Sequence, residues 1–407
     1  MKLHVLCAAL GVSLFVLFRP EFAGAEWPAL SRVVELAKER TVASREADGQ
    51  VNAAKSFETW AHLPWLTNPY FEFQTARGPS TKDFAFNSFV MIPIEVNGQR
   101  SVRIDEADAM VRWRSSSRDD VKARSAAEAV ILWGSCTAAA ARIEQYAKAE
   151  LDAKSETETY AARLVAGDST VLEKSLAEAE LARYAQQKAE ATIVLLDTKG
   201  RLEGALGVAV DVPSTSAEPP APHFASADEF ARRVVEASPT LAALAYESSF
   251  WGAQSSRVAR DANVPLNFIV NFSRTDFGDF QVGGGLAWNF PLTIRNQGAV
   301  AHAGAQRDRA GSVREAYVPW LTAHAKSVYE QYSLARLALD AVDATGIPAA
   351  ERVVDFTQQG YRAGKTEYLH VLQARRDRAF AYARRLDLLE TLWGRYGEMV
   401  AMVGELP

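Results

Sequence analysis

The feature that constrains this 407-residue chain most is its similarity to itself. Ile92-Pro93, followed by Asn97-Gly98-Gln99, returns about 198 residues later as Phe290-Pro291, followed by Asn296-Gln297-Gly298. Gly167-Asp168-Ser169-Thr170-Val171-Leu172 returns as Gly364-Lys365-Thr366-Glu367-Tyr368-Leu369, and Leu206-Gly207 returns as Val403-Gly404, both at an offset of 197. Landmarks repeating at one spacing mark a tandem arrangement of one structural unit. The segment from Asp211 to Ala227 holds Pro213, Pro219, Pro220 and Pro222 and suits a linker between copies. The expected organisation is therefore a leader over 1–25, a first repeat over 26–210, a linker over 211–227 and a second repeat over 228–407.

Within each copy the pattern predicts a helix, two strands, a long helix, a tight turn and a long return helix. The strands are clearest in the second copy, in a hairpin about 265–291. There Leu266, Phe268, Val270 and Phe272 alternate with Asn267, Ile269, Asn271 and Ser273. After a turn around Asp276 to Asp279, Phe280, Val282, Leu286, Trp288 and Phe290 alternate with Gln281, Gly283, Gly285, Ala287 and Asn289. A period of two with large apolar residues on one face marks strands that meet two different solvents. The first copy shows the same pattern more weakly, in a hairpin about 69–93. Each strand is roughly 8–11 residues long, enough to cross a bilayer when tilted. The same alternation also suits an ordinary hairpin over a soluble core. Trp60, Trp65, Trp251 and Trp288 flank or lie within these segments and suit interfacial aromatic belts or a core equally.

The helices are long and alanine-rich. No proline falls between Gln99 and Val165, a stretch that would reach on the order of 100 Å if continuous. In the last helix Leu369, Leu372, Ala379, Ala383, Leu386, Leu389, Trp393, Tyr396 and Val400 recur at steps of three and four, with Arg376 the one polar member. That period favours a coiled-coil seam. Gly346 to Pro348 is expected to break or kink its partner helix. The turns near 166–169 and 363–366 place a glycine after a long helix, as a left-handed C-terminal cap requires. Ser169 or Thr366 is positioned to cap the return helix, and Thr170 with Glu173 has capping-box spacing.

Composition excludes several classes. With 45 Lys+Arg against 50 Asp+Glu the net charge is −5, against a nucleic-acid binder. Lys2, the apolar run Leu3 to Phe18 and the small residues Ala23-Gly24-Ala25 read as a secretory signal cut before Glu26. Its removal leaves a net charge of −6 and Cys136 as the lone cysteine, so no intramolecular disulfide forms. Elsewhere no apolar stretch approaches 18 residues, so no transmembrane helix is expected. The histidines at 62, 223, 302, 324 and 370 are scattered, with no metal-ligand spacing, and Gly283-Gly284-Gly285 lacks the lysine of a phosphate loop. Neither an enzyme nor a cofactor or metal site is expected.

Four membrane-length strands per chain fall short of the eight or so that close a barrel, and open edges do not persist in lipid. If the strands span the membrane, the chain must therefore oligomerise, and a cyclic trimer would supply 12 strands. The order of elements, the strand–proline junctions and the run Gly360-Tyr361-Arg362-Ala363-Gly364-Lys365-Thr366-Glu367-Tyr368-Leu369-His370-Val371-Leu372-Gln373-Ala374 resemble the TolC-like outer-membrane efflux proteins, across about residues 28–405. The resemblance implies a mostly helical chain whose long antiparallel coiled coils continue a shared β-barrel. It also implies a homotrimeric exit duct in the outer membrane with a large periplasmic part, serving a tripartite efflux or type I secretion system. The implied partners are a periplasmic adaptor and an inner-membrane transporter.

By the same resemblance Gly167, Asp168, Ser169, Gly364, Lys365 and Thr366 form the adaptor-docking tips. Glu173, Tyr361, His370 and Gln373 lie at the periplasmic aperture. His370 and Gln373 occupy positions where an acidic pair would bind cations, so an acidic ring is not expected there. A Glu173–His370 pair across the aperture would make closure pH-sensitive. Two other classes remain open: a structural outer-membrane part of a motility or polysaccharide-export assembly, and a soluble periplasmic coiled-coil scaffold. The exported substrate is not legible.

Overall fold

The computed structural model describes residues 27–64, 67–77, 84–213, 216–263, 265–275, 277–288 and 291–406. The expected signal segment, Trp65, Asp276, Asn289 and Phe290 lie outside the described residues. The elements are α1 (Leu30–Arg40), α2 (Val42–Ala61), β1 (Tyr70–Ala76), β2 (Ala85–Ile94), α3 (Gln99–Ala166) and α4 (Val171–Leu206). Then follow α5 (Ala227–Ala237), α6 (Pro239–Asp261), β3 (Leu266–Arg274), β4 (Phe280–Ala287), α7 (Gln297–Ala341), a π turn (Val342–Gly346), α8 (Ile347–Arg362) and α9 (Tyr368–Val403). The chain is thus mostly helical, with one small sheet at one end of very long helices. α3 alone has 68 residues, about 100 Å at 1.5 Å per residue. None of the described helices is long and apolar enough to cross a membrane.

The two hairpins join into a single antiparallel sheet of order β1-β2-β3-β4, with β2 paired to β3 from Phe86↔Arg274 to Ile94↔Leu266. Register fixes the faces. Phe71 pairs with Val90, Val90 with Val270 and Val270 with Gly284, while Phe73 pairs with Ser88, Ser88 with Phe272 and Phe272 with Val282. These rows carry Phe71, Phe73, Phe268, Val270, Phe272, Phe280, Val282 and Leu286 outward, with Val282 74% exposed. The opposite face presents Gln74, Asn87, Ser273 and Gln281 in one row. β4 is described to Ala287, which pairs with Asn267; the expected end at Phe290 lies outside the described residues.

Below the sheet a large core joins the helices. Trp133 of α3 and Trp393 of α9 meet edge to face at 5.0 Å, and Tyr396 packs on Trp393 at 5.9 Å. The approach of α3 to α9 depends on two glycines. A Cβ at Gly134 would meet the Trp393 side chain at 2.1 Å, and one at Gly397 would meet Ile131 at 2.3 Å and the Ala127 carbonyl at 3.0 Å. Gly134→Ala is expected to destabilise the chain by about 1–3 kcal/mol through overpacking, read from chemical denaturation of the purified protein. The exposed control Gly200→Ala, where a Cβ meets nothing within 4 Å, should not destabilise it.

The proline-rich segment lies across α7 and α9. Trp393 Nε1 donates to the Ala217 carbonyl at 2.9 Å, Tyr332 Oη to Pro220 O at 3.2 Å and Tyr329 Oη to Phe224 O at 2.6 Å. Arg336 pairs with Glu218 at 2.6 Å. Proline-fixed backbone leaves its carbonyls free to accept, which is what these aromatic donors use.

Two helix expectations change. Gly346 to Pro348 does not break the helix. The ring of Pro348 crowds the preceding turn, and the turn widens to π geometry, with Ile347 N–H reaching back to Val342 O, so α7 runs on into α8. Along α9 the apolar series holds at Leu372, Leu386, Leu389, Trp393, Tyr396 and Val400, but Leu369 is exposed. The buried position is taken by Tyr368, which packs on Tyr160 of α3 at 4.4 Å.

Candidate functional site

The end of the helices farthest from the sheet is built by two αα-hairpin turns of the same construction. Gly167 takes a left-handed φ of 82°, Gly167 N–H donates to Leu164 O at 3.2 Å, and Asp168 N–H reaches Arg163 O at 2.8 Å. In the second turn Gly364 has φ of 68°, its N–H reaches Tyr361 O at 2.9 Å, and Lys365 N–H reaches Gly360 O at 2.8 Å. Both pairs of bonds close the last carbonyls of a long helix, the Schellman pattern. Gly167, Asp168, Gly364 and Lys365 are all exposed, whereas Ser169 and Thr366 are half-buried.

The caps differ from one expectation. The cap of α4 is Thr170, not Ser169. Its Oγ1 accepts from Glu173 N–H at 3.2 Å while Glu173 Oε2 accepts from Thr170 N–H at 2.9 Å, a complete capping box. Ser169 instead donates to Glu173 Oε2 at 2.8 Å. Thr366 does not cap α9, which follows Glu367 without a side-chain cap. Its hydroxyl is turned back to Thr357 O at 3.3 Å, with its side chain against Gly360, where a Cβ would lie 2.9 Å from Oγ1.

Of the expected aperture residues, the structure brings Glu173 and Tyr361 together. Arg163 Nη1 donates to Tyr361 Oη at 3.4 Å, and that hydroxyl donates to Glu173 Oε1 at 3.3 Å, so one chain of bonds crosses from α3 through α8 to α4. His370 and Gln373 stand exposed on α9, Gln373 donating to Asp377 at 2.9 Å. Within one chain Glu173 is engaged by Ser169, Thr170 and Tyr361 rather than by His370. The Thr170 backbone bond, above all, holds the Glu173 carboxyl below the ordinary carboxylate range, with the Ser169, Thr170 and Tyr361 side chains adding to it.

The sign follows from linkage. A carboxylate depressed in the fold adds stability above its unfolded pKa and loses it as pH falls through the folded one. Protection of the first-turn amides of α4 from hydrogen exchange is therefore expected to fall below about pH 4.5, the ordinary glutamate value. Thr170→Ala should remove about 1 kcal/mol of that protection at neutral pH. Unchanged exchange in Thr170→Ala would show that the box does not hold this end.

Sequence reasoning missed the layer just inside the tips. Tyr160, Tyr361 and Tyr368 form a cluster with centroids 4.4–6.5 Å apart. Burial, chiefly, raises the phenols of Tyr160 and Tyr368 well above the usual tyrosine value. Tyr368 Oη donates to Glu156 at 3.4 Å, and Arg375 pairs with the same carboxylate. Burial pushes the Glu156 carboxyl up, and Arg375 opposes it. Beside it, buried Glu180 of α4 accepts from Arg376 Nε of α9 at 2.7 Å and from Arg183 at 2.6 Å. The signal available in the sequence was Arg376, the one polar residue in the apolar series. Among the described residues no group of three His, Cys, Asp or Glu side chains is placed to hold a metal ion.

The fold matches a membrane protein from Pseudomonas aeruginosa with a TM-score of 0.77 at 15% identity, covering 93% of this chain and 91% of the other. It matches the CmeC outer membrane channel of Campylobacter jejuni with a TM-score of 0.74 at 13% identity, covering 92% and 85%. In sequence the chain is 27% identical over 314 residues to the cobalt-zinc-cadmium resistance protein CzcC of Cupriavidus metallidurans, covering 73% of this chain and 72% of CzcC. The family model described as outer membrane efflux protein matches residues 239–392. Over that stretch the chain is similar to the outer membrane efflux proteins, and its fold as a whole is that of the TolC-like channels. The matched stretch runs from the start of α6 through β3, β4, α7 and α8 into α9, so it includes the second hairpin tip and the exposed apolar face of half the sheet. Its relatives are outer membrane efflux channels, and the chain is an outer-membrane protein with a large periplasmic part.

Proposed function

We propose that three copies of this efflux protein close their four-stranded sheets into one 12-stranded barrel, continued by a periplasmic tube of helices, each chain contributing two tandem structural repeats. The observation that carries this reading is the sheet itself. Its outward face is apolar and exposed, and β1 and β4 each have one side without a strand partner among the described residues. Lipid accommodates the first feature and forbids the second, so closure has to come from further copies. The duct is passive. It serves a tripartite pump or a type I secretion system, with an inner-membrane transporter supplying energy and a periplasmic adaptor joining the two.

The tips Gly167, Asp168, Ser169, Gly364, Lys365 and Thr366 are the adaptor-docking surface, and Glu173, Tyr361, His370 and Gln373 border the aperture behind them. The relation to a cobalt-zinc-cadmium resistance protein supports a divalent-cation pump as the partner system. The test combines native mass with planar-bilayer recording of the detergent-purified protein. A trimer that inserts and conducts is expected, and a monomer that does not insert overturns the reading. Gly364→Asp and Lys365→Glu should abolish metal export by cells while leaving the trimer intact. Normal export by both variants would remove adaptor docking from that turn and favour a structural role in the envelope.

A further inference from the structure

Register divides the sheet into an outward apolar face and an inward face, and the inward face is nearly free of charge. Its members are Tyr70, Glu72, Gln74 and Ala76 of β1, alternate positions of β2 from Ala85 to Pro93, Asn267 to Ser273 of β3, and Gln281 to Ala287 of β4. Among the described strand residues the ionised side chains are Glu72 and Arg274, and they lie on opposite faces. Arg274 shares the outward face with Phe280, its guanidinium 5.5 Å from that ring. Glu72 therefore supplies the one fixed charge of the described inward wall.

The row at its level is Glu72, Phe89, Asn271 and Gly283, which contains no cation to neutralise it. Its carboxylate is held by hydrogen bonds from Tyr70 Oη at 2.6 Å and from Gln74 Nε2, both neutral donors on the same strand face. β1 is an edge strand, and across the seam of a closed barrel it would face β4 of the next copy. There an added Cβ at Gly283 or Gly285 would meet nothing within 4 Å.

We propose that Glu72 sets the ion preference of the duct, making its barrel cation-selective. The inference rests on the trimeric-duct reading and adds to it the charge class that the lumen favours. Three symmetry-related carboxylates at one level form the kind of acidic ring that selects cations. A lumen potential of only one kT enriches cations and depletes anions by about 2.7-fold each, a ratio of about sevenfold. The effect is screened by salt: the Debye length is about 30 Å at 0.01 M and about 3 Å at 1 M, so selectivity should be strong in dilute salt and nearly absent in concentrated salt.

The experiment is reversal-potential measurement in a planar bilayer under a tenfold KCl gradient centred on dilute salt. Wild type and Glu72→Gln are compared, each alone and with Glu180→Arg, so that a closed periplasmic end does not mask the barrel. The expected potassium-to-chloride permeability ratio is about 3–7 for the wild type and about 1–2 for Glu72→Gln, with a ratio below one for Glu72→Lys. Native mass should show the same trimer for all of them. A conducting trimer whose ratio is unmoved by Glu72→Gln and Glu72→Lys overturns this inference and leaves the duct standing. A chain that neither trimerises nor conducts, even with Glu180→Arg, overturns both.

Discussion

Replacing Arg103 by methionine is expected to lower the stability of the folded chain by about 3–5 kcal/mol, the cost of breaking a buried ion pair from one side. Arg103 lies in the first turns of α3 and is 1% exposed. Its Nη1 donates to both carboxylate oxygens of Glu95, at 2.9 and 3.1 Å. Nε donates to Ala61 O at 3.0 Å and Nη2 to Leu63 O at 2.8 Å. One planar guanidinium thereby meets the end of α2, the chain leaving it and the segment between β2 and α3, with the ring of Trp60 5.7 Å away. Methionine fills much of the volume but withdraws the donors from two carbonyls and the counter-charge from Glu95. Arg103→Lys should recover little, because an ammonium has no fork to reach three acceptors at fixed angles. The neighbouring Arg100, whose bond to His62 O is exposed, is the control, with an expected effect within about 0.5 kcal/mol. Denaturant titration of the purified protein in detergent measures both. A stability for Arg103→Met within 1 kcal/mol of the wild type would show that this junction is not held by the buried guanidinium.

Arg103 also shows where sequence reading stops. The alternation in β3 and β4 was legible because two different surroundings on the two faces of a sheet impose a period of two, and the structure places Phe268, Phe272, Phe280 and Val282 on one exposed face as that alternation requires. The turn glycines were legible because a left-handed φ leaves few residue choices, and Gly167 and Gly364 both adopt it. What joins the halves was not legible. Pairing of β2 with β3 brings together segments about 180 residues apart, and no local pattern records it. Arg103, Glu106 and Glu180 look like solvated helix charges until the packing buries them. The π turn was half legible: Gly346 and Pro348 signalled a disturbance, but whether a helix breaks or widens depends on what holds its far side. Here Arg385 of α9 binds Asp343 inside that turn at 2.8 Å. Tyr361 was found by resemblance, whereas Tyr160 and Tyr368, which complete its cluster, lie in different helices and share no sequence signal.

The tip layer leads to the second large effect. Glu180→Arg is expected to raise the conductance of the bilayer-inserted protein many-fold without dissolving the proposed trimer. Glu180 is 4% exposed and grips Arg376 of α9 while also binding Arg183 of its own helix, so it ties the α3–α4 hairpin to the α8–α9 hairpin. The Glu156 pair with Arg375 and the bond from Tyr361 to Glu173 tie the same two hairpins. If the proposed duct opens by one hairpin swinging from the other, these ties are what that swing must break. A charge-assisted bond contributes about 2 kcal/mol, so losing one shifts an open–closed equilibrium by roughly 30-fold. Arginine at position 180 goes further, placing a third guanidinium between two others. Glu180→Gln, which keeps the shape and loses the charge, should give a smaller rise. Restoring opposite charge with Glu180→Arg and Arg376→Glu together should bring conductance back toward the wild type. The far core around Trp133, Trp393 and Tyr396 does not touch this layer, so assembly should persist while gating changes. Conductance in Glu180→Arg equal to the wild type, in a trimer shown to be intact, would place the barrier to flow somewhere other than between these two hairpins.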